Sequence, residues 1–213
     1  MFPQQPQQQF RTAGADVQMF YRSSAWAKPP GVSHVYMMLI GGGGNGDGVS
    51  SGGGSGAVTV WYGAAQHVPD SLIVSVSTGN AVNTTVSYKA GVSAAGITLL
   101  TANGGVTATA GTAMTANQFA GSGFFSSTAG QTGAGNAQIA STTTFLSSGA
   151  RLDLTANYGY TNPLLSGGAR NGFFQLQPII VGAGGTESGR GPIGCGGGYV
   201  SVGGPGMALI ASW

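Results

Sequence analysis

Charge is what this sequence has least of. Only 6% of its 213 residues are Asp, Glu, Lys or Arg, where a soluble domain ordinarily carries about 25%. Seven basic against five acidic side chains leave a formal net charge of +2. Nucleic-acid binding by counterion release needs clustered Lys and Arg, so no nucleic-acid partner is expected. Cysteine is nearly absent too: Cys195 stands alone, which excludes an internal disulfide framework. Long apolar runs are missing; the longest, Val35 to Ile40, spans six residues against the ~20 of a spanning helix, so no membrane insertion is expected. The opening MFPQQPQQQF has neither the basic n-region nor the apolar h-region of a secretory signal.

What the chain has in excess is glycine, 41 residues, nearly three times the usual ~7% share. With 41% hydrophobic residues and little net charge, it lacks the disordered-chain signature of low hydrophobicity and high charge. Blocks such as Gly41–Gly44 and Gly52–Gly54 lose much backbone entropy on folding, so either they are flexible linkers or something compensates. Extended threefold backbones without Cβ atoms can approach one another closely and hydrogen-bond, as glycine permits at the collagen axis. The glycine blocks abut strand-like segments at Ile40/Gly41 and Gly198/Tyr199. That favours a lattice of polyglycine segments capping or flanking a sheet.

Three regions follow the composition. Residues 1–15 form an extended Gln/Pro-rich arm that favours polyproline-II conformers; Phe2, Pro3, Pro6 and Phe10 are its contact candidates. The alternatives for it are a free tail and an arm docked on a neighbouring subunit. Residues 16–106 read as strands: Val35 to Ile40, Ala57 to Tyr62, alternating Leu72, Val74 and Val76, then Thr84 to Tyr88 and Ile97 to Thr101. Residues 107–190 hold no valine between Val106 and Val181 and no charge between Lys89 and Arg151; they read as a glycine-rich loop region. Strand character returns over 196–213. No window shows a helical period. The expected class is all-β, an antiparallel β-sandwich-like domain over 16–213 with polyglycine-II or irregular glycine-rich segments and almost no helix.

Motifs for chemistry are weak. Gly41-x-Gly43-x-x-Gly46 matches the dinucleotide fingerprint, but Asp47-Gly48-Val49-Ser50-Ser51-Gly52 cannot start the helix that fingerprint requires. Gly48-Val49-Ser50-Ser51-Gly52 matches a nucleophile elbow, yet only His34 and His67 could serve it, and both read as strand-edge or turn residues. One cysteine, two histidines and five scattered carboxylates give no metal-ligand spacing. No catalytic, metal or cofactor site is expected, and the chain reads as non-enzymatic. Single and paired aromatics set among small residues are the candidate contact groups: Phe124, Phe125, Tyr158 and Tyr160. Rigid rings there could stack on sugars or pack on a protein loop. Equally, they could supply the core volume that glycine does not.

Trp26-x-Lys28-Pro29-Pro30-Gly31-Val32-x-x-Val35, followed by Leu39-Ile40 and Gly41–Gly44, resembles the opening of the glycine-rich domain of phage tail-fibre and receptor-binding adhesin proteins. The end of the chain, Gly196-Gly197-Gly198-Tyr199 and then Gly203-Gly204-Pro205-Gly206 through Ile210 to Trp213, resembles its closing pattern. The resemblance implies a virion surface protein, a spike or fibre tip, in which polyglycine-II helices carry variable receptor-binding loops. It implies a host cell-surface protein or glycan as one partner. Other virion proteins or copies of the chain, reached through the arm, would be another. Members commonly sit at the end of a long fibre, whereas here only a short arm precedes the domain, which implies a separate tip or decoration protein. Two readings compete with it: a purely structural subunit of a capsid, sheath or extracellular filament, and an ice-binding polyglycine bundle.

Overall fold

Runs of β-branched and aromatic residues separated by Pro-Gly, Asn and Ser punctuation make strands here, and their alternation decides which face each side chain takes. The computed structural model describes residues 14–48, 51–91, 95–119, 121–136, 150–151, 191, 193–198 and 200–213. Within them lie eleven strands: β1 (Asp16–Phe20), β2 (Ser24–Ala27), β3 (His34–Ile40), β4 (Val58–Ala64), β5 (Ser71–Ser75), β6 (Thr84–Tyr88), β7 (Ile97–Ala102), β8 (Gly123–Thr128), β9 (Ala134–Asn136), β10 (Ala150–Arg151) and β11 (Met207–Ser212). The helical content of the described residues is one 3-10 turn, Ala65–His67.

Two antiparallel sheets form the fold. The first has the order β1-β11-β3-β4-β8 and the second β2-β5-β6-β7; β9 and β10 make a separate parallel pair. Their facing sides share one core. Val35, Met37, Leu39, Trp61, Ala208 and Ile210 come from the first sheet, and Trp26, Leu72, Val74, Val86 and Leu100 from the second. The arrangement is the β-sandwich expected for an antiparallel all-β chain. Because β3 is apolar from Val35 to Ile40, its other face is buried as well. Tyr36, Met38 and Ile40 join Val58, Met207, Leu209, Ala211 and Cys195 in a second cluster. A strand buried on both faces is what the unbroken run Val35–Ile40 predicts.

The structure departs from the sequence reading in two places. Strand character was expected to return by Tyr199–Val202, but Ser201 N–H closes a turn onto the Gly198 carbonyl at 3.0 Å, and Val200 and Val202 are exposed. The closing strand starts only at Met207, because the intervening backbone hydrogen bonds are made with glycine segments. The region 107–190, expected as loops, contains β8, which pairs with β4 from Val58↔Thr128 to Gly63↔Gly123. Phe124 and Phe125 therefore lie on an edge strand and point to opposite faces.

Candidate functional site

One end of the first sheet runs into glycine. β3 continues into 41–46, β4 emerges from 52–57 and β11 from 203–206. Along the second of these segments, N–H groups reach different neighbours in turn. Gly53 donates to Gly197 (2.8 Å), Gly54 to Thr107 (2.7 Å), Ser55 to Gln131 (2.8 Å), Gly56 to Gly194 (2.9 Å) and Ala57 to Asn103 (2.8 Å). Positions three apart address the same neighbour: 53 and 56 the segment at 194–197, 54 and 57 the segment at 103–107. The same spacing recurs in the first segment. Gly41 and Gly44 donate to Ala57 and Gly54 (2.9 and 2.7 Å), while Gly43 and Gly46 donate to Gly204 and Ser201 (2.8 and 2.9 Å). Gly130 and Gly133 likewise both reach the 108–111 segment, at 2.8 and 2.7 Å. A strand would repeat every two residues and bond on two sides. A repeat of three, with every bond made outside the segment, is the geometry of a threefold polyproline-II-type helix.

Space, rather than backbone strain, demands glycine in this lattice. A Cβ added to Gly43 would overlap the Cys195 carbonyl, and one on Gly53 the Gly44 carbonyl. None of Gly41–Gly44, Gly53, Gly54 and Gly56 has a φ in the left-handed region. Each lattice hydrogen bond contributes only about 1 kcal/mol net, but the segments cross-link one another, which offsets the entropy lost by so many glycines. At the rim, asparagine side chains replace the missing neighbour. Asn80 Oδ1 accepts from the N–H groups of Asn45 and Thr107, both at 3.1 Å. Asn45 Oδ1 accepts from Gly203 at 3.1 Å, and Asn83 Oδ1 from Gly104 at 2.9 Å.

The lattice also accounts for the motifs. The N–H groups of Gly43, Gly44 and Gly46, which a dinucleotide site would aim at pyrophosphate, are all bonded to lattice carbonyls. His34 sits at the opposite end of β3 from Gly41, roughly 20 Å away for a seven-residue strand; Val49 and Ser50 of the nucleophile-elbow match lie outside the described residues. His67 belongs to the 3-10 turn. Among the described residues, no group of three or more His, Cys, Asp and Glu side chains could hold a metal ion, and no helix is long and apolar enough to cross a membrane.

The other end of the first sheet carries an aromatic platform. Alternation places His34 and Tyr36 of β3, Tyr62 of β4, Phe124 of β8 and Trp213 after β11 on the same face, away from the shared core. Tyr36, Tyr62 and Phe124 stand opposite one another in register. The rings of His34, Tyr62 and Trp213 have centroid separations of 5.7, 6.0 and 5.8 Å and interplanar angles of 16°, 20° and 12°. A linear stack would put its outer members at twice the spacing. An almost equilateral triangle of near-parallel rings is instead a cluster in which each ring stacks, offset, against the other two. Tyr62, His34 and Trp213 are half-buried. Phe124 is 53% exposed, and Tyr36 is buried, which pushes its phenol up to about 12.

Of the contact candidates expected from the sequence, Phe124 lies on this platform. Phe125 faces the other way, opposite Trp61 and against the shared core, so it serves packing. Tyr158, Tyr160, Phe2, Pro3, Pro6 and Phe10 lie outside the described residues. His34, Tyr62 and Trp213 were not singled out as contact groups from the sequence. Their common face follows only once the pairing of β11 with β3 and of β3 with β4 is known. No protein-family model matches the chain, and no curated protein matches it.

Proposed function

We infer that the chain is a non-enzymatic virion surface protein, a spike or tail-fibre-tip adhesin, anchored by its N-terminal arm and binding a host-surface protein or glycan through its glycine-rich segments. One observation supports this reading above the rest. The two stretches that resemble the phage glycine-rich domain, within Trp26–Gly44 and Gly196–Trp213, are far apart in sequence, yet parts of them run side by side as β3 and β11, from Met207↔Ile40 to Ser212↔Val35. Beyond them Gly43 and Gly204 stay hydrogen-bonded at 2.8 Å within a threefold glycine lattice. A stiff, nearly uncharged lattice gives its connecting loops a rigid mount, so that recognition loops can vary without loss of the fold.

Immunogold electron microscopy of particles from the source culture, with an antibody against the folded domain, tests it. Gold at fibre tips or isolated vertices is the expected result. Uniform gold over a shell or filament would instead make the chain a structural subunit. No particle labelling would remove both readings. Deleting residues 1–10 should abolish incorporation into particles while the domain stays folded; full incorporation would refute the anchoring role.

A further inference from the structure

We propose that the aromatic platform of His34, Tyr62, Trp213 and Phe124 is the seat of the chain's own N-terminal arm, residues 1–13. The inference goes beyond the adhesin reading and does not require it.

Three observations carry it. First, the platform suits an apolar, ring-bearing ligand. By strand alternation its neighbours on that face are Val17, Tyr36, Ala64 and Ala211, so those strands bring no charged side chain to it. A sugar site would bring carboxylates or amides to the hydroxyls, whereas clustered, partly exposed aromatic rings are what proline-rich segments dock on in extended threefold form. Second, the chain carries such a segment. Phe2-Pro3-Gln4-Gln5-Pro6 contains a P-x-x-P spacing, and Phe10 adds an aromatic ring further along. Third, the arm is tethered at the right end. β1 begins at Asp16, opposite Ser212, so the chain leaves the sheet beside Trp213, and Gly14 (φ +93°) lets the backbone turn there. From β1 to β4 is three strand spacings, roughly 14 Å. Thirteen residues in extended threefold form reach about 40 Å. A tether that spans its site comfortably works at millimolar effective concentration, which favours the chain's own arm over a second copy's at low protein concentration.

Photo-cross-linking in the full-length chain tests this. Phe2 is replaced by p-benzoylphenylalanine, and equal amounts of unlabelled and ¹⁵N-labelled chains are mixed at low micromolar concentration before illumination. The expected product is an intramolecular cross-link to peptides holding His34, Tyr62, Phe124 or Trp213. With Pro3→Ala and Pro6→Ala together, its yield should fall about three- to ten-fold, the size of one lost ring contact. Tryptophan quenching supplies a second readout in a chain with unaltered Phe2. Trp26 and Trp61 are buried, so acrylamide reports mainly on Trp213, and the same double substitution should raise its quenching. Mixed-isotope cross-links, cross-links to the glycine lattice or scattered over the surface, or no cross-link at all would each overturn the proposal. Loss of particle incorporation on arm deletion, together with no cross-link to the platform, would leave the anchoring reading standing and remove this one.

Discussion

His34 and Trp213 exchange both main-chain hydrogen bonds, His34 N–H to the Trp213 carbonyl at 2.9 Å and Trp213 N–H to the His34 carbonyl at 3.2 Å. This reciprocal pair extends the β3–β11 ladder by one residue beyond Ser212. It sets the two rings on the same face, where Tyr62 completes the platform. The Ser33 hydroxyl adds a donation to the same Trp213 carbonyl at 3.1 Å. The last residue of the chain is therefore part of the sheet, and the platform is positioned by backbone pairing.

The lattice makes a sharp prediction about glycine. Gly43→Ala places a methyl group on the Cys195 carbonyl, and since backbone cannot move aside cheaply, the loss should be about 3 kcal/mol. Gly91→Ala, where nothing lies within 4 Å of the new atom, should stabilise by about 0.5 kcal/mol through the unfolded chain. Urea unfolding of both variants checks the contrast; equal effects would mean that the lattice is loosely packed.

Asn80 should matter as an acceptor only. Asn80→Asp keeps the oxygen that serves Asn45 and Thr107 and should leave stability nearly unchanged. Asn80→Ala should cost about 1 kcal/mol, because water reaches this rim and replaces part of what is lost. Hydrogen exchange at the Asn45 and Thr107 amides should accelerate in the alanine variant and not in the aspartate one.

Phe124 and Phe125, adjacent in sequence, should respond oppositely. Phe125→Ala removes a ring packed on the shared core and should cost about 2 kcal/mol, less than a fully buried phenylalanine because it is only partly covered. Phe124→Ala, at a half-exposed position, should cost less than about 1 kcal/mol and act instead on whatever the platform binds. Thermal melts of the two variants separate them.

Alkaline pH should destabilise the fold through Tyr36. Burial raises its folded-state pKa from 10.0 to about 12, so the unfolded chain ionises first. Its contribution is fully present below pH 10 and is lost as pH rises toward 12, about 2–3 kcal/mol for a shift of that size. In Tyr36→Phe the decline over this window should be shallower, as read from unfolding curves at successive pH values.

Lys28 holds the β4–β5 connection in two ways. It pairs with Asp70 at 2.8 Å and donates to the carbonyls of Val68 (2.7 Å) and Ala65 (3.3 Å). Asp70 is 93% exposed, so Asp70→Asn should change stability by less than about 0.5 kcal/mol. Lys28→Met removes the side-chain donor to the Val68 carbonyl, while the Ala65 carbonyl keeps the Val68 N–H at 3.1 Å, and should cost about 1 kcal/mol. Chemical denaturation of the pair distinguishes capping from ion pairing.

Composition and alternation made much of this legible in advance. A chain with so little charge, no helical period and apolar runs bounded by glycine could only be all-β. Val35–Ile40, apolar at every position, had to be buried on both faces, and Leu72 and Val74 had to share one. The glycine blocks abut strand-like segments, which favours a lattice over flexible linkers, and the hydrogen bonds of Gly41–Gly46 and Gly53–Ala57 decide it. What the sequence could not carry is pairing between distant segments. Gly53 meets Gly197, and His34 meets Trp213, because β11 inserts between β1 and β3, and no local pattern records that choice. The split of Phe124 from Phe125 was hidden for the same reason. The two rings are equivalent as residues, and only the register of β8 against β4 sends one to the core and leaves the other on the surface.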